Sequence, residues 1–80
     1  METHHFRAVT RGLAHGHVSG IERRLSPWRI EVEVVEHRGV AEWHLSSDVE
    51  SEREMSDHLR KAVIHETGRD AVRPVRRERV

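Results

Sequence analysis

Glu31, Glu33, Glu42 and His44 are the residues whose types and spacing come nearest to acid–base chemistry in this 80-residue chain. Three carboxylates and an imidazole gathered on one surface could pair a proton donor with an acceptor, provided they converge in a cleft. A second candidate is His15-x-His17, flanked upstream by His4-His5. In an extended segment those two rings fall on one side, and neutral imidazole suits zinc, nickel or copper. His58 and His65 are seven residues apart. On a helix that is two turns and about 10 Å of rise, too far to share an ion. The expectation is therefore no resident metal and no cofactor. Nor do the serines occupy a strand–turn–helix elbow, and there is no phosphate-cradling glycine loop. A third group is basic: Arg73, Arg76, Arg77 and Arg79 crowd the C-terminal end, with Arg23, Arg24 and Arg29 further up the chain. Such a set could neutralise several phosphates of a nucleic acid.

These residues are positioned by the stretch from Trp28 to Leu45. Trp28, Ile30, Val32 and Val34 alternate with polar residues, and so do Ala41, Trp43 and Leu45. A period of two on both sides of a glycine-containing segment predicts a β-hairpin with one buried face. With Val35 opposite Val40, Glu36-His37-Arg38-Gly39 forms a four-residue loop. Val32 then pairs with Trp43 and Ile30 with Leu45, while on the other face Glu31 opposes His44 and Glu33 opposes Glu42. On that register the four candidate residues are the charged outer face of a sheet, a surface for binding rather than catalysis.

A helix follows. Ser51-Glu52-Arg53-Glu54 is a capping box, and Met55, Leu59, Ala62 and Val63 form a stripe at helical spacing that ends before Gly68. Upstream, Ile21, Arg23 and Leu25 predict a strand over Val18–Leu25, broken from the hairpin by Ser26-Pro27. Residues 1–16 fit two readings, a short helix on Phe6, Val9 and Leu13 or a strand on Phe6, Ala8 and Thr10. The tail predicts a short strand near 71–76 followed by a frayed basic end over 73–80. The expected fold is α+β: a small two-layer sandwich in which a three- or four-stranded antiparallel sheet is covered by one C-terminal amphipathic helix, with a short N-terminal helix as an option. Residues 1–80 form one domain, with its core over 18–72. An α-β-β-β-α order would match that of double-stranded RNA-binding domains. Glu50, Glu52 and Glu54, however, stand where those domains offer lysines to phosphate.

Composition narrows function. Fourteen basic and fourteen acidic residues cancel, which argues against a strong polyanion binder. The charge is segregated, though: residues 1–30 carry a net +3, residues 31–57 a net −7, residues 58–68 a net +1 and residues 69–80 a net +3. Thirteen arginines against one lysine, with no Asn, Gln, Tyr or Cys, reflect codon usage in a G/C-rich genome as much as function. Without cysteine there is no disulfide or thiolate–zinc staple for so small a core. No apolar run is long enough to span a membrane, and no signal sequence opens the chain, so a cytoplasmic location is expected. The sequence thus points to a small non-enzymatic protein-binding module, accessory or inhibitory. It self-associates as a homo-oligomer and works through Glu31, Glu33, Glu42 and His44. Nucleic-acid binding by the arginine-rich termini is the alternative.

Overall fold

The computed structural model describes residues 2–75. Its elements are β1 (His4–Arg11), α1 (His15–Leu25), a single 3-10 turn (Ser26–Trp28), β2 (Glu31–His37), β3 (Val40–Ser47), α2 (Glu52–Thr67) and β4 (Val72–Pro74). The four strands form one antiparallel sheet in the order β2-β3-β1-β4. Both helices contribute to the core on one face of this sheet, which makes a two-layer α+β sandwich. A βαββαβ order with β3 inserted between β1 and β2 is the split βαβ, or ferredoxin-like, arrangement.

Each inward face follows from alternation. Phe6, Ala8 and Thr10 of β1 point into the core, as do Ala41, Trp43 and Leu45 of β3, with Val32 and Val34 of β2 packing at its margin. Opposite them lie Val18, Ile21 and Leu25 of α1 and Met55, Leu59, Ala62 and Val63 of α2. The indole of Trp43 donates to Thr10 Oγ1 at 2.9 Å, so the largest core side chain buries no unpartnered polar atom. α2 has the expected ends. Ser51 and Glu54 exchange hydrogen bonds with each other's backbone amides, and Gly68 closes the helix at φ 76°.

Several expectations are corrected. Val18–Leu25 is part of a helix, so the sheet is covered by two helices instead of one. Val18, Ile21 and Leu25 lie at i, i+3 and i+7, whereas a strand would have turned Arg23 inward with Ile21 and Leu25. Residues 4–11 form a strand, placed centrally between β3 and β4, and the α-β-β-β-α order falls with that. The hairpin register also moves by two. His37 pairs with Val40, Val34 with Trp43 and Val32 with Leu45, leaving Arg38-Gly39 as a two-residue turn. A shift of two keeps every side chain on its face, so alternation could not distinguish the registers.

Arg38 (φ 51°) and Gly39 (φ 77°) both have left-handed backbones, as a type I′ turn requires. Glycine tolerates this, but arginine carries a Cβ that does not. Arg38→Asn is expected to raise stability by about 0.5–1 kcal/mol, seen as a higher urea midpoint with an unchanged slope.

Candidate functional site

With both helices on one side, the other face of the sheet is open. The registers define its rows: Glu31–Ser46–His5, Glu33–His44–Arg7, Val35–Glu42–Val9–Arg73 and His37–Val40–Arg11. Glu31, Glu33, Glu42 and His44 therefore do share this face. The corrected register changes their partners: Glu33 opposes His44, Glu31 opposes Ser46, and Glu42 lies between Val35 and Val9. His5, Glu31, Glu33, His44 and Ser46 line a shallow concavity of about 710 Å³ floored by the β2–β3 pair.

β1 alters the electrostatics that the hairpin alone would have. Arg7 Nη2 donates to Glu42 Oε1 at 2.7 Å, and His44 Nε2 lies 3.1 Å from the same oxygen. The Arg7 hydrogen bond, helped by the positive charge of its guanidinium, holds the Glu42 carboxyl below its ordinary range. The stabilisation from that group is therefore present at neutral pH and is lost as pH falls through its lowered folded-state value. Glu42 is thus a neutralised centre. Exposed Glu31 and Glu33 lie on the β2 edge, and exposed Arg11 and Arg73 lie on β1 and the β4 edge. None of these four has an ion-pair partner among the described residues. The face runs from acidic at β2 to basic at β4, across a strip that includes Val9, Val35 and Val40. This gradient was hidden from the sequence because β1 had no assigned place in the sheet.

The face also carries no Phe, Tyr or Trp side chain among the described residues. Phe6 and Trp43 are buried, and Trp28 stands on the helical side. RNA-binding four-stranded sheets stack bases on aromatic rings, and among the described residues this face offers only the smaller imidazoles of His5, His37 and His44. Of the basic tail, Arg73 reaches the face through β4, while Arg76, Arg77 and Arg79 lie outside the described residues.

His15 and His17 fall in the first turn of α1 and not in the extended segment on which their pairing was expected. His17 Nδ1 instead accepts from the Ala14 amide at 3.2 Å, serving the helix start. No group of three or more His, Asp or Glu placed to hold a metal occurs among the described residues.

Two structural features had gone unsuspected. Ser47 is buried beside the acidic edge, where its Oγ accepts from the Val49 and Glu50 amides at 3.1 and 2.9 Å and donates to the Arg29 carbonyl at 3.0 Å. Trp28, expected in the core, is 46% exposed and stacks on His58 at a centroid separation of 4.1 Å. Near that ring Glu50 lies 3.6 Å from His58, and burial pushes the Glu50 carboxyl above its ordinary range, as does its hydrogen bond to Glu54.

The class defined by these observations is a small α+β sandwich with an open, charge-graded sheet. Scans against protein-family models, curated proteins and solved structures returned no match for the chain. No helix among the described residues is long and apolar enough to cross a membrane.

Proposed function

We propose that this chain is a non-enzymatic protein-binding module whose open sheet face pairs with a second copy of itself. The observation that carries this reading is the gradient from Glu31 and Glu33 on β2 to Arg11 and Arg73 on β1 and β4, none of which has an ion-pair partner among the described residues. A two-fold axis lying between two facing sheets and oblique to the strands sets the Glu31–Glu33 corner of one copy over the Arg11–Arg73 corner of the other. Each acidic edge then meets a basic edge twice over, as an isologous interface demands. A two-fold parallel to the strands leaves those corners one to three rows apart, and one perpendicular to the strands sets β2 over β2, with Glu31 and Glu33 facing His37 and Val35. Charge thus selects one geometry, and Val9, Val35 and Val40 supply its drier centre. The assembled dimer would act as an accessory or regulatory unit.

The face is small. Four strands at about 4.8 Å spacing and up to eight residues in length span roughly 20 by 25 Å. Pairing two such faces buries on the order of 1,000 Å², the lower end for a specific complex. A weak, salt-sensitive dimer is the expected result. Sedimentation velocity over a concentration series should show mass rising from one chain to two at low ionic strength and falling back at about 0.5 M salt, where screening is short-ranged. A single-chain mass at every concentration in low salt would contradict the reading.

A further inference from the structure

The helical side carries a separate cleft of about 320 Å³, lined by Arg24, Trp28, His58, Lys61, Ala62 and His65. Its floor and one wall come from α2, where residues 58, 61, 62 and 65 follow i, i+3, i+4 and i+7 and so share one stripe. The end of α1 supplies Arg24, and the 3-10 turn supplies Trp28. A large aromatic ring left 46% exposed is unusual in a chain with so few of them, and its position is held from two directions. On one side His58 stacks against it with an interplanar angle of 19°. On the other, the next residue, Arg29, has a left-handed backbone (φ 55°, ψ 39°), and its carbonyl is tied to buried Ser47. Ile30, buried to 7% exposure, then re-enters the core. A non-glycine residue in that conformation is strained, and the surrounding contacts maintain the strain while keeping the indole outside.

Three cationic or titratable donors, Arg24, Lys61 and His65, line the cleft beside this ring. Arg24 is shared with Glu66 at 3.2 Å, while Lys61 and His65 have no ion-pair partner among the described residues. The nearby carboxylates are Glu66 on Arg24, Glu50 on His58 and Asp57, which precedes His58 in α2. A carboxylate ligand would bring one charge, whereas a phosphate monoester brings about −1.5 to −2, which suits donors from two helices better. A flat ring beside such an anion is the chemistry of a nucleotide, and the cleft volume is at the small end of ligand sites. We propose that this cleft binds a nucleotide, the base stacking on the Trp28–His58 pair and the phosphate lying among Arg24, Lys61 and His65.

The nucleotide comes from one of two sources, free in solution or as a unit of a single strand, and the test separates them. Equilibrium dialysis of the full chain against AMP, a ten-residue oligouridylate and inorganic phosphate should show binding of AMP at or below about 1 mM. Trp28→Ala should weaken it roughly 5- to 150-fold, the value of one stacked base. Lys61→Ala should weaken it as well, with the urea midpoint of both variants showing that they remain folded. Tighter binding of the oligouridylate than of AMP assigns the strand as the source, and equal binding assigns the free nucleotide. No binding of either at about 1 mM, equal binding by Trp28→Ala, or equal binding of phosphate alone would overturn the proposal. Because Trp28 and Lys61 are remote from the open sheet face, neither variant should change the sedimentation mass.

Discussion

Trp43→Ala is expected to cost about 3–5 kcal/mol in stability and to leave the chain largely unfolded at 37 °C. Trp43 is fully buried on β3, a strand flanked on both sides, and is the largest side chain in the core. Truncation removes its contacts with both layers and leaves a cavity that neighbouring strands cannot close without breaking register. It also strands the Thr10 hydroxyl, which is fully buried and accepts from the indole. An unpartnered buried polar group adds to the loss. An 80-residue domain has roughly 4–12 kcal/mol in total, so this one change consumes much of it. Trp43→Phe, which keeps most of the volume but not the hydrogen bond, should cost clearly less. Urea melts followed by far-ultraviolet circular dichroism check the ranking. A Trp43→Ala midpoint equal to that of the native chain would contradict the assigned core.

Ser47→Ala is expected to cost about 2–4 kcal/mol, a large effect for the loss of one oxygen. That oxygen serves the Val49 and Glu50 amides and the Arg29 carbonyl at once, at the end of β3 where the side chain is 4% exposed. Alanine leaves these three backbone groups without this partner, in a place where replacement by water requires opening the junction. The same oxygen joins the loop leading into α2 to the residue that holds Trp28 outward. The substitution should therefore also change Trp28 fluorescence, even under conditions where the fold persists. A melt within about 0.5 kcal/mol of the native chain would show that water substitutes freely for the serine.

What the sequence revealed divides along the range of the interactions involved. α2 was legible from its cap at Ser51 to its stop at Gly68, because a capping box, an apolar stripe and a glycine terminator all act within a few residues. The hairpin was legible as alternation, and so were the faces of Glu31, Glu33, Glu42 and His44. Its register was not, since two registers differing by two residues satisfy the same alternation, and Arg38 gives no local sign of a left-handed turn. Trp28 was misplaced for a related reason. Its parity with Ile30 and Val32 holds only if the strand continues through Arg29, and the left-handed backbone there breaks it. α1 was obscured by Gly16 and Gly20, since glycine is a poor helix former, yet both lie in a helix whose Val18, Ile21 and Leu25 are buried. The place of β1 depends on pairing with β3, whose partner residues lie 29 to 43 positions away. No local pattern encodes that, and with it went the Arg7–Glu42 pair and the basic half of the open face.

Self-association through a charge-graded face is tested most directly by splitting the gradient between two chains. Glu31→Arg with Glu33→Arg makes one chain whose face is basic throughout, and Arg11→Glu with Arg73→Glu makes another whose face is acidic throughout. All four side chains are exposed, so both variants should fold with stabilities close to that of the native chain. Each alone opposes like charges across the two-fold and should sediment as a single chain in low salt. Mixed in equal amounts they should form a heterodimer tighter than the native pair, because every opposed edge is then complementary. Sedimentation of the two variants separately and together is the measurement. Recovery of the two-chain mass only in the mixture is the expected result, and a mixture that sediments as single chains would contradict the account.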